Sequence, residues 1–199
     1  MEEDQQNILI ILSSPSGVGK TTITKKIQQK YNSFIVSVSH TTRTARSNEV
    51  DGEDYHFVKK DEFEDLIKKE KFYEYAKIFG NYYGTLKENV DNNSKIKDIL
   101  FDIDWQGTKQ LSKHKKLKLL KIFLIAENKD ELKKRLLKRN QNTKEEIDLR
   151  FSSFNKDVKH WNDYDYIVIN KHLDICFKQI EQIIKVNKIK AINFSHLTQ

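Results

Sequence analysis

The stretch Ile8-Leu9-Ile10-Ile11-Leu12-Ser13-Ser14-Pro15-Ser16-Gly17-Val18-Gly19-Lys20-Thr21-Thr22-Ile23 decides the fold. Residues 8–13 are a short, nearly continuous apolar run, the pattern of a strand buried on both faces. The loop that follows holds the only Pro and two of the six Gly in the chain. Ile23, Ile27 and Tyr31 then recur at helical spacing. Strand, glycine-containing loop, Lys-Thr and helix form the context that a phosphate-binding loop requires. Its inward-turned backbone N–H groups, with the helix N-terminus, make a nest for polyphosphate oxygens. In that arrangement Lys20 neutralises β- and γ-phosphate charge and the Thr21 hydroxyl ligates Mg²⁺. The expected ATP site is Ser14, Pro15, Ser16, Gly17, Val18, Gly19, Lys20, Thr21 and Thr22. One position departs from the strict pattern, whose first Gly is Ser14 here.

Working outward, the patterning predicts strands at 34–38, 55–58, 72–79, 99–103, 119–126 and 166–170. It predicts helices at 61–69, 105–113, 129–139, 144–161 and 174–186, and a glycine-framed turn at 80–84. Strands alternating with helices imply an α/β fold, a three-layer α/β/α arrangement around a central parallel sheet. Residues 34–90 lack that alternation and read as an insert on the sheet. Residues 187–199 are polar and weakly patterned.

Length and composition bound the function. A chain of 199 residues suits one compact domain. No apolar run approaches the length of a membrane helix. The opening Met-Glu-Glu-Asp-Gln-Gln is acidic where a signal peptide is basic and then apolar. One Cys excludes an internal disulfide and a cysteine metal site, and the six His show no metal-ligand spacing. These features lead to the expectation of a soluble, cytoplasmic protein. Lys plus Arg is 36 against 29 Asp plus Glu, a net charge of +7, which invites a nucleic-acid reading. Only five of those residues are Arg, namely Arg43, Arg46, Arg135, Arg139 and Arg150. Lysine is a solvated point charge, whereas arginine is the planar fork that grips phosphate. The lysine cluster at Lys113, Lys115, Lys116, Lys118 and Lys121 has no interleaved aromatics, so a solvated face accounts for it and no nucleic-acid partner is expected.

The acceptor side is written in a second set of residues. Arg43 and Arg46, with Tyr55 nine positions beyond, can converge on one phosphate if the loop folds back. Glu74, Tyr83 and Thr85 surround the turn at 80–84. Guanine offers donors at N1 and N2 and an acceptor at O6. A carboxylate such as Glu74 answers the two donors, and the hydroxyls of Ser39 and Thr85 can donate to O6. Such a site leaves polar groups unpaired with the wrong base. Spacing alone leaves a solvent-facing Glu74 equally open.

The loop Ser-Pro-Ser-Gly-Val-Gly-Lys, the run Thr41-Thr42-Arg43-Thr44-Ala45-Arg46, the turn Gly52-Glu53-Asp54-Tyr55, then Gly80-Asn81-Tyr82-Tyr83-Gly84 and Asp102-Ile103-Asp104-Trp105-Gln106-Gly107 together resemble the guanylate kinase family. The motifs stand in family order and the likeness runs over residues 8–184. The resemblance implies transfer of the ATP γ-phosphoryl group to GMP, with dGMP as a further acceptor, in a single domain. It implies a core of about 8–33, 95–128 and 160–186, a GMP-binding insert of about 34–90 and a helical lid of about 129–155. It places GMP-phosphate contacts on Arg43, Arg46, Tyr55 and Tyr83, and base contacts on Ser39, Glu74 and Thr85. Of the acidic pair, Asp102 is expected beside Mg²⁺ and the phosphates and Asp104 nearer the guanine edge. Arg135, Arg139 and Arg150 become lid arginines that reach the transferring phosphoryl group, joining Lys20 and Arg43 as catalytic cations. Asn170, at the end of the last strand, is expected to meet the adenine edge. The partners implied are ATP with Mg²⁺, and GMP; the number of copies in the assembly stays open. A scaffold domain using the same fold to hold peptides, or a kinase of another base, would be the competing readings. Lys20, Thr21 and the arginines speak against the first, Glu74 with Ser39 against the second. Cys176 and Trp161 read as packing residues.

Overall fold

The computed structural model describes residues 7–138 and 144–195. The chain runs β1 (Leu9–Ser13), α1 (Lys20–Lys30), β2 (Phe34–Val36), β3 (His40–Thr41), β4 (His56–Phe57), α2 (Lys60–Lys68), β5 (Phe72–Ile78), β6 (Asn81–Leu86) and α3 (Lys87–Asn93). It continues through β7 (Asp98–Asp102), α4 (Trp105–Leu111), β8 (Leu119–Ile125), α5 (Lys129–Lys138), α6 (Lys144–Val158), β9 (Tyr166–Ile169) and α7 (Leu173–Ser195). Successive side chains of a strand point to opposite faces, and β1 shows why its apolar run has no polar member before Ser13. Ile10 and Leu12 enter one core with Ile23, Ile27, Ile122, Val168 and Ile180. Leu9 and Ile11 enter the opposite core with Ile99, Phe101, Leu111 and Phe123. The five strands of this sheet lie in the order β2-β7-β1-β8-β9, and every pairing is parallel. Helices α1, α5, α6 and α7 contribute to the first core, α3 and α4 to the second, which gives three layers. No helix among the described residues is long and apolar enough to cross a membrane.

Several boundaries differ from the sequence reading. Residues 34–36 pair with β7 in the parallel sheet, so the insert begins after β2. The glycine-framed stretch at 80–84 is not one turn. Phe79 (φ 48°) and Gly80 (φ 86°) form a two-residue connection closed by Ile78 opposite Asn81, and β6 starts at once. Gly84 is a strand residue whose added Cβ would lie 2.9 Å from Phe72 and 3.0 Å from Phe63. The glycine there admits aromatic rings and makes no turn. Helix α3 carries no apolar period, because Val90 is its one buried residue. Helix α7 runs to Ser195, with no Gly or Pro after Leu173 to stop it.

The insert is a second sheet in the order β4-β3-β6-β5, covered by α2. Phe63 of α2 is fully buried and stacks on Phe72 (4.5 Å) and Tyr82 (5.2 Å). It is the buried residue by which α2 holds this sheet. Phe63→Ala is expected to lower stability by about 3–5 kcal/mol, read as a drop in thermal midpoint. A loss under about 1 kcal/mol would show that α2 is not needed for the insert.

Candidate active site

The C-terminal ends of β1 and β7 open into one cleft between the two sheets, a cavity of about 320 Å³. In its floor, the loop after β1 turns through Gly17 (φ 88°) and Gly19 (φ 104°), a region that other residues adopt at a cost. Ser14 is not among the positive-φ residues, which explains why the first glycine of the pattern is dispensable here. A Cβ on Gly17 would lie 2.7 Å from Leu136, and one on Gly19 would lie 2.9 Å from Asn170 Nδ2. Both glycines therefore also answer close packing. Ser14, Pro15, Ser16, Gly17, Gly19, Lys20 and Thr21 line the cleft. Val18 is fully buried in the core, and Thr22 is exposed on α1 and lines no part of the cleft.

Lys20 Nζ stands 2.8 Å from Asp102 Oδ1 and donates to Ile103 O at 2.9 Å. The Thr21 hydroxyl donates to the other oxygen of Asp102 at 3.2 Å. Asp104 caps α4: its Oδ1 accepts from the N–H groups of Gln106 (2.9 Å) and Gly107 (3.0 Å). The two aspartates thus face different partners, one the phosphate loop and one a helix start. Among the described residues no group of three or more His, Cys, Asp or Glu is placed to hold a metal ion.

On the facing wall, Arg43 pairs with Glu49 Oε1 at 2.9 Å, and its guanidinium lies 5.3 Å from the Tyr55 ring. Arg46 Nη1 reaches the same oxygen at 3.4 Å, while its backbone N–H donates to Glu49 Oε2 at 2.8 Å. Burial alone would raise the Glu49 carboxyl, but hydrogen bonds from Arg43 and Arg46 outweigh it and hold the group below the usual range. Tyr55 and Tyr83 meet edge to face at 5.9 Å. Arg43, Arg46, Tyr55 and Tyr83 all line the cleft, as does Ser39.

Glu74 is buried at 4 % exposure. Burial pushes its carboxyl up to about 7; the Thr85 hydrogen bond opposes this and nearby Asp104 adds to it. Thr85 itself does not reach the cleft. It is fully buried, and its hydroxyl donates to Glu74 Oε1 at 2.6 Å, so its proton supports the carboxylate and not a base oxygen. Gly107 lies directly under Glu74, where an added Cβ would fall 2.4 Å from Oε2.

The match to known proteins decides the family. The guanylate kinase family model covers residues 6–187. The chain belongs to the guanylate kinase family. It is 43% identical to the guanylate kinase of Rickettsia felis over 94% of this chain and 97% of that one. It is 41% identical to that of Novosphingobium aromaticivorans, over 94% and 85%. A crystal structure of guanylate kinase from Anaplasma phagocytophilum superposes with a TM-score of 0.78 at 28% identity, covering 94% of this chain and 89% of that one. ATP:GMP phosphotransfer is the reaction of this family, and the chain is a nucleoside monophosphate kinase.

The arginines expected in the lid divide. Arg150 lines the cleft, donates to Ser16 Oγ at 2.9 Å and lies 5.0 Å over the Phe79 ring. Arg135 does not line it. Leu132 and Leu136 bury α5 behind the phosphate loop, so Arg135 donates to Val18 O (3.3 Å) and Lys171 O (3.2 Å) and pairs with Glu131. Arg139 lies outside the described residues. Asn170 also sits behind the loop: it is buried at 2 % exposure, and Nδ2 donates to Val18 O at 2.7 Å. Its contact holds the loop from the rear. Cys176 is fully buried, and burial raises its thiol to about 11.

Sequence reasoning gave no role to Glu49, or to Trp105 and Gly107 of the 102–107 motif, and missed the cleft-lining Ser153, Lys156 and Asp157. A signal for two of these is present in the spacing. Ser153 and Asp157 stand three and seven positions after Arg150, on the same helical face.

Proposed function

We propose that the loop at 14–21 binds the phosphates of ATP and that the facing wall binds GMP, the acceptor, in the same cleft. The observation that carries this reading is the convergence of Lys20, Arg43, Arg46 and Arg150 with buried Glu74 around one cavity. Phosphoryl transfer needs alignment and charge stabilisation more than covalent help. Arg43, Arg46, Tyr55 and Tyr83 take the GMP phosphate, which orients its oxygen toward the ATP side. Glu74, ionised, accepts from guanine N1 and N2, with Ser39 donating to O6 and Thr85 fixing the carboxylate from behind. Lys20 exchanges Asp102 for the ATP phosphates, and Arg150 reaches the same oxygens from α6.

Thr21 and Asp102 offer hard oxygen donors, and Mg²⁺ is commonly held by one or two carboxylates plus substrate phosphates and water. These residues fit it, partly through water. When bound, the ion neutralises phosphate charge. The substrates, ATP and GMP, set the proposed compartment as the cytoplasm, with no nucleic acid or membrane as partner.

A coupled ADP-release assay with GMP, dGMP, AMP, CMP and UMP tests the assignment. GMP-dependent release, with little from AMP, CMP or UMP, is expected; none with GMP from folded protein would overturn it. Gly107→Ala gives a second check. Its methyl must displace Glu74, so KM for GMP is expected to rise at least about tenfold with KM for ATP unchanged. An unaltered KM for GMP would remove Glu74 from base recognition.

A further inference from the structure

The C-terminal half of α6, with His160 just beyond its end, is fastened to the first turn of α4 by contacts that neither phosphate nor base binding requires. The Trp105 indole lies flat on the His160 imidazole, with ring centroids 3.7 Å apart and planes within 5°. Lys156 brings its ammonium to 5.6 Å from the indole centroid. Asp157 lines the cleft with Trp105, and the Ser153 hydroxyl donates to its carboxylate at 3.3 Å. Burial, helped by Asp104, raises the Asp157 carboxyl to about 6. One turn along α4, Thr108 Oγ1 accepts from the buried Tyr164 hydroxyl at 3.1 Å.

That same turn of α4 carries the base end of the cleft. Asp104 caps it and Gly107 supports Glu74. Seven residues before Asp157, α6 carries Arg150 against Ser16 of the phosphate loop. At about 1.5 Å per residue, α6 therefore spans roughly 10 Å from the phosphate end to the base end.

We propose that Trp105 and Asp157 are positioning residues that key α6 to the base end of the cleft, so that Arg150 is set at the phosphate loop through the helical turn that supports Glu74. The proposal rests on the reading of the cleft as the ATP and GMP site. Trp105 acts as the contact plate, stacked on His160, and Asp157 fixes its rotation.

The test uses two readouts. In a Trp161→Phe enzyme, Trp105 is the remaining indole, since the chain holds two Trp. Its emission is expected to change when GMP and a non-hydrolysable ATP analogue bind together, and Asp157→Ala is expected to abolish that response. In steady state, Trp105→Ala and Asp157→Ala should each lower kcat about 10- to 100-fold with KM for ATP within about threefold. Trp105→Phe, which keeps the stack, should restore most of the loss. Unchanged kcat in folded Trp105→Ala and Asp157→Ala, a loss confined to KM for GMP, or emission indifferent to nucleotides would each overturn the proposal. If Trp105→Ala fails to fold, Asp157→Ala and Asp157→Asn carry the kcat comparison. GMP-dependent ADP release by the unaltered enzyme is the control: its failure would strike the substrate reading, while normal variants would strike only this proposal.

Discussion

Lys20→Ala is expected to lower kcat by about 10²–10³-fold while KM for GMP stays within about threefold. Lys20 is held by Asp102 and Ile103 O at the start of α1. A preorganised donor aimed at developing charge is worth that much in a water-poor site. The acceptor wall is built from other elements, so GMP binding is left largely alone. Single-turnover measurement at saturating ATP and GMP separates the chemical step from release. A kcat within about fivefold of the unaltered enzyme would overturn the phosphate-loop assignment.

Glu74→Gln is expected to lower kcat/KM for GMP by about 10²–10⁴-fold and to spare ATP binding. The amide still accepts once, but its NH₂ meets a second donor of guanine, which leaves two buried donors opposed. The pH dependence follows from the raised carboxyl. The proposed contact with guanine requires the ionised form, and burial pushes the free carboxyl up to about 7. The kcat/KM for GMP should therefore fall about tenfold per unit below pH 7 and level off above it, and Glu74→Gln should lose that limb. Stability moves the opposite way. Folding raises this carboxyl from 4.5 to about 7, so the folded state holds a proton that the unfolded chain releases. Its stabilisation is present at low pH and is lost as pH rises through about 7, a cost of about 3 kcal/mol in the ionised state. Glu74→Gln should raise the thermal midpoint more at about pH 8 than at about pH 5. An equal change at both would show that the carboxyl titrates normally.

The parallel sheet was legible because its strands are apolar on both faces and its helices recur between them. The phosphate loop was legible because its residue types are nearly dictated by its chemistry. The insert was harder: β4 falls within the strand expected at 55–58, but β3, two residues held by pairing partners far along the chain, has no local period to mark it. Residue identity named Arg43, Arg46 and Glu74 as candidates, but not their partners. Glu49 neutralises two arginines only once the loop folds back, and Gly107 matters only because Glu74 lies above it. Thr85 shows the same limit, since a hydroxyl beside a base site can face the base or the carboxylate.

Under the proposed acceptor assignment, the carboxylate that bridges Arg43 and Arg46 makes acceptor binding an exchange of anions. Glu49 carries one negative charge to these arginines, and Asp102 does the same for Lys20. An incoming monoanion such as chloride or acetate brings no more charge than the resident group and must also be desolvated. A phosphate monoester carries about −1.5 to −2 at neutral pH and offers three oxygens to the same donors. If these cations bind the substrates as proposed, the ion pairs of the cleft set a threshold on valence that favours dianionic esters over singly charged solutes.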